Sequence, residues 1–287
     1  MAWRQVEMAP ASPEARSAAR TLVEICEVSK EYATADGAIH ALDLVSLEIG
    51  EGEFLSIVGP SGCGKSTLML ITAGLVPPTS GTVRIAGTEV RKPNRRAGIV
   101  FQDATLYEWR RVLDNVLLPV ELQGLDREQY TRRARRLLEV VGLGGFERKY
   151  PFELSGGMRQ RVGLCRALVH DPPLLLMDEP FGALDALTRD QLNLELQSIW
   201  QQDRKTVLFI THSISEAVFL SDRVVVMTSR PGRIGAVLEI ALPRPRTFDL
   251  TEMPQFGQYV REIRAIFESW GVLGPGPRGP RFPGGAP

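Results

Sequence analysis

Long apolar runs are missing from this chain of 287 residues. The longest, such as Leu174 to Met177 and Val224 to Met227, are strand-sized, far below the roughly 20 residues a membrane helix needs. Excess charge is missing too. Lys+Arg and Asp+Glu each total 34, so no global field draws the chain to nucleic acid or anionic lipid. Cysteine is scarce: Cys26, Cys63 and Cys165 are far apart, odd in number and without metal-ligand spacing. They read as reduced thiols of a reducing compartment, not as a disulfide framework or zinc site. The first residues, MAWRQVEMAPASPEAR, have no apolar h-region and carry Glu7 and Glu14, a poor fit to a secretory signal or a transit peptide. No repeat of solenoid length occurs. What is present, 44% hydrophobic and 24% charged residues, is the balance of a folded globular chain. A cytoplasmic protein is expected, serving any membrane from outside the lipid.

Residues 1–20, rich in Ala, Pro and Ser, have no usable periodicity and are expected to form a leader. From Leu22 to Val58, β-type runs are divided by turn signals at Asp36-Gly37 and Glu51-Gly52, which predicts an antiparallel sheet leading into a central strand, Phe54 to Val58. A glycine loop follows. Lys65 to Gly74 then carries Leu68, Ile71 and Thr72 at helical spacing. Residues 104–170 are mostly helical in pattern, with apolar faces at Leu137, Leu138, Val141 and at Val162, Ala167, Leu168.

Beyond them, Leu174 to Met177, Val207 to Ile210 and Val224 to Met227 are continuous apolar runs, the pattern of parallel strands covered on both faces. Leu192, Leu196, Ile199 and Trp200 mark a crossover helix between the first two. The expected fold class is α/β, with a mainly parallel central sheet, an N-terminal antiparallel β subdomain and an inserted helical subdomain at about 104–170. Phe256, Tyr259, Val260, Ile263, Ile266, Phe267 and Trp270 give an amphipathic helix within 246–273, and residues 274–287 form a Pro/Gly-rich tail. Arg132, Arg133, Arg135 and Arg136 read as a solvated basic face, with lipid or a membrane partner as the alternative.

The chemistry begins at Gly59-Pro60-Ser61-Gly62-Cys63-Gly64-Lys65-Ser66, which matches G-x-x-x-x-G-K-[ST] between a strand and a helix. Glycines let backbone N–H groups wrap phosphate oxygens at the positive end of a helix. Lys65 adds a charge for the β- and γ-phosphates, Ser66 can ligate Mg2+, and Thr67 beside it is assigned to the same site. Cys63 is read as a small packing residue, with redox control as the alternative. Leu174 to Met177 lead into Asp178 and Glu179. Asp178 continues the strand toward the metal, while Glu179 points elsewhere and can accept a proton from attacking water. Without the phosphate loop the same pair would read as an N-cap and first-turn acid.

Leu154-Ser155-Gly156-Gly157-Met158, followed by Arg159-Gln160-Arg161, is where the sequence resembles the ABC ATPases specifically. The order of phosphate loop, Gln102, that segment, Asp178-Glu179, Gly182-Ala-Leu-Asp185 and His212 resembles the family's motif set and spans about residues 21–245. The resemblance implies ATP and Mg2+ as ligands. It implies that Tyr32 stacks on adenine, that Gln102 touches Mg2+ and senses a membrane partner, that Asp185 communicates across a dimer and that His212 orients water and phosphate. Tyr32 could instead be simply half-buried.

Ser155, Gly156 and Gly157 open a helix and offer a second phosphate cradle. One phosphate tail has no use for two cradles unless a second copy supplies one, which implies a head-to-tail homodimer through an ATP sandwich. Finer resemblance is to importers of nitrate, sulfonate, taurine and pyrimidine precursors, carried by residues 178–185, Thr211 to Ala217 and Ser229 to Ile234. Such importers imply integral membrane permease subunits, an extracytoplasmic solute-binding protein acting indirectly, no nucleic acid partner, and a location on the cytoplasmic face of the membrane through the permease. Leu106-Tyr-Glu-Trp109 departs from the proline that such relatives tend to place before the tryptophan. The rivals are a soluble DNA- or ribosome-remodelling ATPase, a nucleotide-binding regulator without turnover, and an exporter.

Overall fold

The computed structural model describes residues 20–35, 37–182 and 184–272. The expected leader up to residue 19, Asp36 of the first turn signal, Ala183 and the tail lie outside the described residues. Strands β1 (Thr21–Thr34) and β2 (Gly37–Gly50) come first, then the short β3 (Phe54–Val58). After the glycine loop come α1 (Lys65–Thr72), β4 (Ser80–Ile85), β5 (Thr88–Glu89) and β6 (Ala97–Val100). A helical insertion follows, comprising α2 (Val112–Val116), α3 (Leu118–Leu122), α4 (Arg127–Val140) and α5 (Gly156–Leu168). The chain then runs through β7 (Leu174–Asp178), α6 (Ala186–Asp203), β8 (Thr206–Ile210), α7 (Ile214–Leu220), β9 (Arg223–Met227), β10 (Ile234–Glu239) and α8 (Pro254–Ser269).

Two sheets result. An antiparallel sheet has the order β2-β1-β4-β5, and a larger one the order β10-β9-β3-β8-β7-β6. In the larger sheet β6, β7, β8, β3 and β9 are mutually parallel, and only β10 is antiparallel, on the β9 edge. The continuous apolar runs resolve into two faces of this sheet. Phe54, Val58, Leu175, Met177, Val207 and Phe209 join one core, with the helical insertion, α6 and α8. Leu55, Ile57, Leu174, Leu176, Leu208 and Ile210 join the other, with α1 and the antiparallel sheet. Side chains alternate along a strand, so a strand with a core on each side must be apolar at every position.

The stripe Leu192, Leu196, Ile199 and Trp200 of α6 is buried, as are Phe256, Ile263 and Phe267 of α8. The segment between β10 and α8 is fixed by Arg246, whose side chain is buried. It donates to the carbonyls of Val218, Phe219 and Ser221 at 2.9, 3.0 and 2.9 Å, capping the C-terminal end of α7. Burial pulls its guanidinium down to about 9, still protonated at neutral pH. In the basic stretch of α4, Arg133 pairs with Asp171 at 2.7 Å, and Lys205 meets the same carboxylate at 2.6 Å, linking the insertion to the central sheet.

Candidate active site

The glycine loop leaves the buried end of β3 and enters α1 through Gly64, whose φ of 101 is left-handed. A Cβ there would stand 2.6 Å from Leu42 Cδ2 and 2.7 Å from the Ala41 carbonyl oxygen, so only glycine fits the turn. Lys65 is buried and its Nζ donates to the carbonyls of Gly59 and Pro60 at 2.9 and 3.0 Å. A buried cation hydrogen-bonded to neutral carbonyls is suited to an anion at the loop. Cys63 is buried, and burial pushes its thiol up despite the opposing charge of Lys65. That favours packing over reactivity. The loop between β9 and β10 braces the glycine loop from the side: Arg230 donates to the Gly62 carbonyl through Nε at 3.2 Å and Nη2 at 3.1 Å.

Asp178 closes β7 beside the start of α1. Burial raises its carboxyl, and a hydrogen bond from Ser66 works against that rise; neighbouring Glu179 adds to it and Lys65 opposes it. Glu179 has a φ of 43, uncommon for a side chain with a Cβ. Its N–H is held by the Ile210 carbonyl at 2.9 Å. The chain therefore turns off the sheet at this residue, and the Glu179 carboxylate lies 3.1 Å from His212 Nδ1 at the end of the parallel neighbour β8. The Glu179 side chain is 22% exposed and that of His212 53%, so the pair opens to solvent on one side.

A cavity of about 570 Å³ gathers Tyr32, Ser61, Gly62, Gly64, Lys65, Ser66, Thr67, Gln102 and Glu179 with Ile39, Ala41 and Arg230. Tyr32 faces Ile39 across the β1–β2 register, and Lys30 Nζ lies 5.0 Å over its ring. A second cavity of about 370 Å³ is lined by Ser155, Gly156, Gly157, Met158, Arg161, Leu184, Asp185 and Thr188. There Ser155 caps α5 by accepting from Met158 N at 3.3 Å, and Asp185 caps α6 by accepting from Thr188 N at 3.0 Å. Two helix N-termini thus face one space, an arrangement favourable to an anion. The two cavities share no lining residue.

The expected residues therefore fall into two groups. Tyr32, most of the phosphate loop, Gln102, Asp178, Glu179 and His212 come together, whereas Ser155, Gly156, Gly157 and Asp185 lie elsewhere in the chain's own fold. Gly59 and Pro60 present carbonyls to Lys65 and do not line the cavity. The Ser66 hydroxyl and the Asp178 carboxylate offer adjacent oxygens of the kind Mg2+ takes. Among the described residues no group of three or more His, Cys, Asp or Glu could hold a metal unaided. Ile39, Ala41 and Arg230 were not foreseen: two are ordinary apolar strand residues, and the third is remote in sequence.

This geometry defines a P-loop nucleotide-binding α/β domain with a second helix-terminal cradle. The family model described as ABC transporter matches residues 42–182. An uncharacterised ABC transporter ATP-binding protein of Methanocaldococcus jannaschii is 47% identical over 88% of this chain and 94% of its own length. The aliphatic sulfonates import ATP-binding protein SsuB of Bacillus cereus is 40% identical over 88% and 98%. The taurine import ATP-binding protein TauB of Rhizobium johnstonii is 48% identical over 80% and 90%. Among solved structures, a dimeric ABC transporter cassette superposes with a TM-score of 0.70 at 34% identity, covering 76% of this chain and 99% of its own. A post-hydrolysis dimer of that cassette with ADP and Pi gives 0.69 at the same identity and coverage. The chain belongs to the ABC transporter family, as an ATP-binding ATPase subunit.

Proposed function

We propose that this chain energises an importer of small organic anions of the sulfonate and taurine class, a group that also takes in nitrate and pyrimidine precursors. It works as a head-to-tail homodimer under integral membrane permease subunits, on the cytoplasmic face. An extracytoplasmic solute-binding protein delivers the solute. The observation that carries this reading is the separation of the two cavities: the phosphate loop and the Ser155-Gly156-Gly157 turn do not meet within one protomer. Two copies facing each other would place one cradle of each on a shared triphosphate. The sulfonate and taurine import subunits at 40% and 48% identity support the solute class.

In this reading residues 21–245 form the cassette, 104–170 its helical subdomain, and 246–273 an appended segment. Tyr32 stacks on the base, the loop N–H groups and Lys65 hold the phosphates, and Ser66, Asp178 and Gln102 hold Mg2+. Mg2+ held there would supply positive charge against the phosphates. Glu179 accepts the proton of attacking water, and His212, bonded to that carboxylate, fixes its direction and reaches for phosphate. The partner's Ser155 and glycine N–H groups complete the donor set only in the closed dimer, so turnover follows conformation.

Tyr107 and Trp109 stack at 4.8 Å and Tyr150 and Phe152 at 5.5 Å on the helical subdomain, with Trp109 75% exposed. These exposed aromatic pairs are where a permease would dock. Reconstitution of the chain with its permease and binding protein in liposomes, with ATP on the chain's side, tests the proposal. Uptake of taurine or an alkanesulfonate by the wild type and none by Glu179→Gln is expected. ATP hydrolysis that no such solute stimulates would remove the solute class.

A further inference from the structure

Glu216 of α7 is a buried carboxylate outside the nucleotide cavity, 8% exposed. Its Oε2 accepts from Thr211 Oγ1 at 2.6 Å, and Thr211 Oγ1 in turn accepts from Ser213 N at 3.0 Å. The carboxylate thus holds Thr211 directly, and Ser213 through the Thr211 hydroxyl, on either side of His212. Its other oxygen, Oε1, lies 3.5 Å from Nε of Arg189, on the first turn of α6. The same guanidinium donates through Nη2 to the Leu184 carbonyl at 3.0 Å. Leu184 lines the second cavity beside Asp185. Burial raises the Glu216 carboxyl, and its bond from Thr211 and the charge of Arg189 oppose that rise.

The carboxylate of this ion pair is buried and the guanidinium partly exposed, at 10% and 29%, and the two meet by charge and not by a hydrogen bond; such a pair is a costly way to join two helices, since well-packed apolar residues would serve as well. What apolar residues could not supply is a set of directional bonds to the two loops at once. We infer that Arg189 and Glu216 form a positioning bridge that ties the loop ahead of α6, at the Ser155–Asp185 cradle, to the loop that places His212. Movement of the Leu184 carbonyl when a second copy closes on that cradle is passed through the guanidinium to Glu216 and Thr211. The bridge sets where His212 stands relative to Glu179. Neither residue touches the nucleotide cavity; both act through His212. The inference rests on the reading of Glu179 and His212 as the hydrolytic pair and of the second cradle as the dimer face.

The test uses Glu216→Gln, which keeps the shape and the acceptor for Thr211 while removing the charge, together with Arg189→Met, Arg189→Lys and the double variant Glu216→Gln/Arg189→Met. The expected result is a kcat about tenfold lower in Glu216→Gln and Arg189→Met, with KM for ATP within about twofold. Coupled residues give non-additive losses, so the double variant should be no worse than about the poorer single one. Arg189→Lys, which retains the charge, should recover part of the rate.

A second readout needs neither nucleotide nor turnover. The chain has 3 histidines, and the imidazole nitrogen signals of His212 should shift in Glu216→Gln while those of His40 and His170 stay fixed. Unchanged kcat in both single variants, losses that multiply in the double, or unmoved His212 signals would overturn the bridge. Full turnover in His212→Ala would instead remove His212 from the hydrolytic site, and the ring signals still decide on the bridge.

Discussion

The two cradles are both helix N-termini entered through small residues, and they are packed in opposite ways. At the phosphate loop the chain closes on itself: Gly64 is left-handed and enclosed by Leu42 and Ala41, and Lys65 is buried behind it. At the Ser155 turn, a Cβ on Gly156 would meet nothing within 4 Å. The first glycine is required by the chain's own fold. Gly156 has open space beside it, whereas a Cβ on Gly157 would stand 3.0 Å from Thr188 Cγ2. The phosphate loop is thus enclosed by its own chain, while the Ser155 turn is open at Gly156, as the proposed dimer requires.

The largest effect is expected from Gly64→Ala, where left-handed strain and the contact with Leu42 act together. It should lower stability by about 2 kcal/mol and weaken ATP binding by about a hundredfold, read by thermal melting and calorimetry. If Gly64→Ala melts and binds like the wild type, the enclosed half of the comparison fails.

Gly156→Asp should behave in reverse. An acid at the first turn suits the helix dipole, so stability should hold or rise by about 0.5 kcal/mol. Turnover should nevertheless fall by about a hundredfold, because a carboxylate would stand where phosphate must come. ATP binding by the single protomer should be unaffected. A large loss of stability in Gly156→Asp would show the turn to be structural.

The smallest effect is expected away from both cradles, at Asp171. Its burial would raise the carboxyl, but Lys205 and Arg133 overcome that and hold it below the ordinary carboxylate range. An acid lowered in the folded state stabilises the fold above its unfolded pKa, and the stabilisation fades as pH falls through the lower folded value. Asp171 is half exposed, so screening limits the effect to about 0.5 kcal/mol at neutral pH. Asp171→Asn should therefore melt slightly lower than the wild type at pH 7, with the gap closing toward pH 3 and no change in ATP binding at either cradle.

What was legible in the sequence follows the range over which each feature is encoded. The phosphate loop, the Asp178–Glu179 strand end and the Ser155 cap are local, each needing a few consecutive residues whose types dictate backbone shape or charge. The strands of the central sheet were readable because both faces are covered, which leaves an unbroken apolar run.

Other features depend on contacts that no local pattern announces. Arg230 reaches Gly62 across 168 residues, and Arg246 reaches the end of α7 from beyond the boundary set at 245. The Arg189–Glu216 bridge was invisible for the same reason: both residues look like ordinary helix-surface charges until α6 and α7 are packed together.

The central claim is that a triphosphate joins the closed cradle of one copy to the open cradle of another. Light scattering of Glu179→Gln with ATP and Mg2+ tests it most directly. A change from monomer to dimer mass is expected, induced by ATP and abolished when Gly156→Asp is added to Glu179→Gln. A Glu179→Gln protein that binds ATP yet keeps its monomer mass at every ATP concentration, with its permease present or absent, would contradict it.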